Sequence, residues 1–201
     1  MIQGHSSPRV ILASGSPRRR ELLGRLGVAF DVVPSDIDEV LDGAPSGETV
    51  AGLALAKARA VAARVGDGVV LGADTVVVLD GIALGKPVDA EDARAMLRRL
   101  RGRAHDVITG VAVVDAGTGR CETTSVVTRV VMADVGDDAI EAYVASGEPL
   151  DKAGAYAIQE RGAALVTEFV GSYTNVVGLP LAATARLLRG FGVEVSAPGE
   201  D

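Results

Sequence analysis

The chain has 201 residues, a formal net charge of −7 and a single cysteine, Cys121. This length sustains one domain with its own core, and a lone thiol excludes both an intramolecular disulfide and a cysteine-built zinc cluster, as befits a reducing compartment. The acidic balance argues against a general nucleic-acid binder, which needs a basic face. An aromatic content of 3% leaves no stacking platform for single strands.

The opening residues MIQGHSSPRV lack the basic-then-apolar order of a secretory leader. No later apolar run approaches the roughly 18 residues of a membrane span. A soluble, cytoplasmic protein is expected, with one domain over 1–201, an ordered core over about 9–190 and short tails, the last being SAPGED.

In chain order, Val10 to Ala13 is a short apolar run that stops at Ser14-Gly15-Ser16-Pro17, after which Leu22, Leu23 and Leu26 recur at helical spacing. A strand, a turn and a helix are predicted, with Ser16 at the N-cap, Pro17 at the first helical position and Gly27 just past the end. A strand over Phe30 to Val33 leads into the acidic run Asp36-Ile37-Asp38-Glu39, and Glu48 to Val65 reads as a long Ala-rich helix. Val69 to Ala73 and Val76 to Leu79 read as two buried strands bracketing Asp74-Thr75, and Asp80-Gly81 is a hairpin signal.

Asp89 caps a helix from about Ala90 to Arg101. His105 to Val114 and Thr123 to Met132 are strands, and Asp137 to Ala145 is a helix closed by Gly147. A loop containing Asp151-Lys152-Ala153-Gly154, a strand near Leu165 to Val170 and a helix from about Leu179 to Leu188 complete the chain. Strands and helices mix without strict alternation, so the expected fold is α/β with a mixed sheet, flanking helices and two lobes around a cleft.

Three groups of residues could carry chemistry. The turn Ser14-Gly15-Ser16-Pro17-Arg18-Arg19 gathers two hydroxyls, the N–H groups of a helix start and two guanidinium groups, all of which bind phosphate. A capped helix whose arginines face water carries the same pattern. Asp74 lies between apolar runs, where an ionised carboxylate costs several kcal/mol unless paired or metal-bound. A buried hairpin start is the alternative reading. Lys57, in an Ala-rich helix, and Lys86, in Leu84-Gly85-Lys86-Pro87, are isolated cations that solvation would also explain.

Other site types find less support. Gly81 to Pro87 has neither the glycine spacing of a phosphate-binding P-loop nor its Ser or Thr. There is no GxSxG nucleophile elbow, and the two histidines, His5 and His105, do not make a zinc pair. A metal here would be oxygen-bound magnesium or manganese.

The ordered blocks LASGSPRRRELL (12–23), DIDE (36–39), LAKARA (55–60), GADTVV (72–77), LGKPVDAEDARAML (84–97), TGVAVV (109–114), EPLDKAGAYAIQ (148–159) and NVVGLPL (175–181) span almost the whole chain and resemble the Maf family of nucleotide pyrophosphatases. The resemblance implies a mixed α/β fold related to that of the inosine-triphosphate pyrophosphatases. It also implies divalent-metal-dependent release of pyrophosphate from a nucleoside triphosphate.

Block by block, it implies that Ser14, Ser16, Arg18 and Arg19 hold phosphates and that Lys57 and Lys86 neutralise phosphate charge. Glu39 and Asp74 would bind the metal, Asp74 also standing where the family has its proton acceptor. Arg18, Thr75 and Gln159 match the three specificity positions of the group acting on dTTP and UTP. Gln159 can pair with uracil or thymine, although a flipped amide also serves cytosine. The resemblance further implies a homodimer, and the family's name derives from restraint of septum formation, a binding role with a cell-division partner that needs no catalysis. Neither a nucleic-acid nor a membrane partner is expected.

Overall fold

The first apolar run forms β1 (Val10–Leu12), a parallel neighbour of both β2 (Phe30–Val32) and β3 (Val69–Leu79). The computed structural model describes residues 7–37 and 45–197. β3 hairpins into β4 (Ile82–Leu84) through Asp80 and Gly81, whose φ angles of 53° and 77° are those a two-residue primed turn requires. β5 (Ala104–Asp115), β6 (Cys121–Met132) and β7 (Val166–Val170) add antiparallel, giving a seven-stranded mixed sheet in the order β2-β1-β3-β5-β6-β7 with β4 beside β3.

β3 departs from the sequence expectation. The two predicted strands around Asp74-Thr75 are one strand of 11 residues, laddered with β5 from Val69↔Asp115 to Val78↔Asp106. Backbone pairing continues through the polar pair because both side chains find partners: Lys57 for Asp74, Arg19 and Thr109 for Thr75.

Among the described residues six helices flank the sheet: α1 (Pro17–Gly24), α2 (Gly47–Val65), α3 (Ala90–Leu100), α4 (Asp137–Ala145), α5 (Tyr173–Val177) and α6 (Leu181–Gly190). Ser16, Ser46 and Asp89 cap α1, α2 and α3, each accepting a backbone N–H with its side chain. The predicted loop after α4 contains three short 3-10 turns, Glu148–Asp151, Ala153–Ala155 and Glu160–Leu165. α5 is too short to leave a periodic signal; Gly178 ends it at φ 120°, and Pro180 delays the next helix to Leu181 rather than Leu179.

Alternation along β3 and β5 sorts the core. On one face Leu71, Ala73, Val111 and Val113 pack with α1, α5 and α6, while farther along the same face Val77, Leu79 and Val107 pack with α3, α4 and the 3-10 segment. Between these two apolar clusters lies a polar rung, Thr75 opposite Thr109. α2 covers the other face, over Val70, Ala112, Val114, Val76, Val78 and Ile108. Among the described residues no helix is long and apolar enough to cross a membrane.

Candidate active site

The site originates in a gap on one edge of β3. β1 stops at Leu12, its last link being Ala13 N–H to the Leu71 carbonyl at 2.8 Å, and β4 begins to pair only at Val77. Between them Asp74 and Thr75 meet no strand of the described residues on that side. A cleft of about 380 Å³ opens here, walled by the Ser14–Arg19 turn, by the Lys86 loop, by residues 151–159 and by α5 with Gly178.

Arg19 is held at three points. Its Nε donates to the Gly178 carbonyl (3.0 Å), one terminal nitrogen to Ser14 Oγ (3.2 Å) and the other to Thr75 Oγ1 (3.1 Å). Ser14 Oγ also accepts the Ser16 N–H at 3.3 Å, and Ser16 Oγ caps the helix through the Arg19 N–H at 3.4 Å. The hydroxyl-and-arginine turn is therefore a folded unit at the mouth of α1, where the N-terminal N–H groups add positive potential.

Arg18 reaches across the cleft to Asp151, 3.8 Å away, and Lys152 donates to Asp151 Oδ1 and to the Glu148 carbonyl, both at 2.7 Å. Burial alone would raise the Asp151 carboxyl. The Lys152 hydrogen bond, with the charges of Lys152 and Arg18, outweighs it and holds the group below the ordinary value. Lys86 is exposed on the opposing loop, which is pinned from beneath by Gly154 N–H to the Gly85 carbonyl at 2.9 Å. Gln159 is half-buried in the wall.

Asp74 and Lys57 form an ion pair, each 4% exposed, with Lys57 approaching from α2 on the far face of the sheet. Asp74 lines the cleft and Lys57 does not. Burying two opposite charges this deeply costs desolvation that their direct contact offsets.

Of the sequence-predicted residues, Ser14, Ser16, Arg18, Arg19, Asp74, Thr75, Lys86 and Gln159 line one cleft, Lys57 stands behind it, and Glu39 lies outside the described residues. Sequence reasoning gave no role to Asp151, Lys152 or Tyr156, which also line it. The adjacent opposite charges Asp151-Lys152 were the available signal. Tyr156 is anchored by its hydroxyl, 2.6 Å from Nε2 of the buried His105.

Among the described residues no three His, Cys, Asp or Glu side chains converge as an all-protein metal centre. The cleft carboxylate Asp74 instead suits an ion that takes one or two carboxylates and completes its shell with substrate phosphates and water, as magnesium does.

The family profile described as "Maf-like protein" matches residues 9–191. The chain is 58% identical to the dTTP/UTP pyrophosphatase of Anaeromyxobacter dehalogenans, over 92% of this chain and 95% of that one. It is 56% identical to the dTTP/UTP pyrophosphatase of Moorella thermoacetica, over 93% and 97%. A crystal structure of a nucleoside-triphosphatase / dITP/XTP pyrophosphatase from Mycobacterium abscessus aligns with 92% of this chain and 97% of its own at 16% identity and a TM-score of 0.46. With a matching profile across nearly its whole length and relatives above half identity, the chain belongs to the Maf-like family.

Proposed function

We propose that the protein hydrolyses nucleoside triphosphates, with dTTP and UTP as its substrates, to the monophosphate and pyrophosphate. The observation that carries this reading is the composition of the cleft: Arg18, Arg19, Lys86 and Lys152 outnumber the carboxylates Asp74 and Asp151 inside a chain whose net charge is −7. A cationic pocket in an acidic protein is built for a small, highly charged anion. The names of the relatives point to the same class of substrate.

The reaction is attack of water on the α-phosphorus, with cleavage of its bond to the bridging oxygen and departure of pyrophosphate. Negative charge accumulates on the α-phosphate oxygens and on the leaving group, so fixed positive charge and N–H donors stabilise the transition state. The Ser14–Arg19 turn holds phosphate, Lys86 and Lys152 face it from the opposite wall, and Asp74 receives or orients the attacking water's proton. Lys57 positions Asp74 from α2, on the sheet face that both side chains share. A divalent cation, magnesium or manganese, held by Asp74 together with Glu39, would supply further charge at the phosphates. Gln159 and Thr75 present the polar groups that read the base.

The test is product identity. Purified protein with magnesium or manganese should convert UTP or dTTP to the monophosphate and pyrophosphate with little orthophosphate. Diphosphate plus orthophosphate as primary products would overturn the reading.

A further inference from the structure

The polar rung between the two apolar clusters has a direction, which follows from counting protons. Thr109 is fully buried, and its hydroxyl lies 3.0 Å from the Asn175 carbonyl, a group that can only accept. The single Thr109 proton is therefore committed to Asn175. Thr75 Oγ1 lies 3.0 Å from Thr109 Oγ1 on the other side. With Thr109 already donating, Thr75 must be the donor in that bond.

Thr75 is thus left without a proton to offer the cleft. Its oxygen accepts from Arg19 and presents its remaining lone pair to whatever lies before it.

The anchor of this chain is itself immobilised. Asn175 is fully buried: its side-chain Nδ2 donates to the Val107 carbonyl (3.0 Å) and to Thr128 Oγ1 (2.9 Å), and its main-chain carbonyl, the one facing Thr109, also accepts the Gly178 N–H at 3.0 Å. Thr128, also fully buried, donates to the Ser172 carbonyl at 3.1 Å and accepts the Ser172 N–H at 3.1 Å. The carbonyl that receives the Thr109 proton therefore has no freedom to turn away.

We infer that Thr109, backed by the Asn175 carbonyl, is a positioning residue that fixes the Thr75 hydroxyl as a pure acceptor toward the cleft, so that the site takes a substrate offering an N–H at that point. Resting on the reading of the cleft as a nucleotide site, this selects an imide N3–H, as in uracil and thymine, over cytosine, whose N3 is a bare acceptor. A free threonine hydroxyl would rotate to serve either base; one whose proton is consumed two residues deep in the sheet cannot. The discrimination resides in the rung as much as in the cleft wall.

The test compares binding of α,β-imido UTP and α,β-imido CTP, which cannot release pyrophosphate, by calorimetry. The unmodified protein should prefer the uridine analogue. In Thr109→Val, which removes the proton acceptor and frees the Thr75 hydroxyl to donate, the preference should fall by about tenfold, the worth of one hydrogen bond lost and another gained. Thr109→Ser, which retains the hydroxyl, should restore it. An unchanged preference in a folded Thr109→Val protein, or no preference in the unmodified one, overturns the inference.

Thr109→Val also removes one of the two hydrogen bonds on the buried Asn175 carbonyl, leaving the Gly178 N–H at 3.0 Å, so a neutron structure of the unmodified protein supplies a measurement independent of that variant's folding. The Thr75 deuteron should point at Thr109 Oγ1, and a deuteron directed into the cleft overturns the inference. Binding preference without any hydrolysis of UTP would refute the proposed activity and leave the rung intact.

Discussion

Asp74 and Lys57 form a buried pair at which the stability of the fold and the proposed chemistry can be probed together. Removing either residue takes from the other, 4% exposed, the opposite charge it pairs with. Asp74→Asn is therefore expected to destabilise the fold by about 3–5 kcal/mol while abolishing hydrolysis. Replacing both with apolar residues, as Lys57→Met with Asp74→Leu, should recover most of the stability and none of the activity, because an apolar substitute for a buried pair is often neutral. Chemical denaturation and pyrophosphate release on the same preparations decide this; an Asp74→Asn protein as stable as the original would show that the pair does not support the fold.

His105 has the opposite character. Burial holds it to about 4, well below the ordinary 6.5. Between those values the unfolded chain binds a proton that the native ring refuses, so stability rises with pH across this window and is lost as pH falls from 6.5 toward 4. The loss at the low end is about 3 kcal/mol, and His105→Gln should flatten the pH slope of unfolding free energy measured from pH 7 to 4.5. A slope unchanged by the substitution would assign the acid sensitivity to other groups.

At the scale of elements, α2 is decisive because it carries Lys57 to Asp74 and lies directly on the sheet backbone. A methyl added at Gly110 would overlap the Val50 carbonyl and sit 2.5 Å from the Ala51 nitrogen, and one at Gly72 would overlap the Ala54 carbonyl and stand 3.0 Å from Ala58 Cβ. The glycines of β3 and β5 and the alanines of α2 are two halves of one close contact. Gly110→Ala should cost roughly 1–3 kcal/mol, or more if the helix cannot shift, and should reduce activity with it because Lys57 moves with the helix. Thermal unfolding and turnover check the coupling; lost stability with full turnover would mean that the helix yields without disturbing Asp74.

This contact also marks a limit of the sequence. The Ala-rich helix was legible from its composition, read as Glu48 to Val65 where it runs Gly47–Val65, whereas the reason for so many alanines lies in glycines 14 and more residues away on other strands. The same holds for β3: Asp74-Thr75 read as a break because local apolarity failed there, while the partners that keep the strand continuous come from α2, the Ser14–Arg19 turn and β5. The Ser14–Arg19 turn, by contrast, was legible as a unit because its contacts are mostly local.

For the whole molecule the organising feature is that two apolar clusters share one sheet face and meet at a polar seam, with the cleft at the seam's open end. One wall, the Ser14–Arg19 turn, is rooted in the first cluster through Leu22 and Leu23; the other, residues 151–159, is rooted largely in the second through Ala155 and Tyr156. A phosphate chain bound between them touches both and ties them together. Inorganic pyrophosphate at a hundred times its dissociation constant should then add about 2.7 kcal/mol to stability, which raises the melting temperature by roughly 5–10 °C for a domain of this size. Backbone amides in both walls should exchange more slowly, since local opening of either must first release the ligand. Hydrogen exchange with and without pyrophosphate measures this directly. Protection confined to the Ser14–Arg19 turn, with residues 151–159 unchanged, would mean that the anion binds one wall alone and that Arg18, paired with Asp151 across the cleft, is not where the two halves close on the substrate.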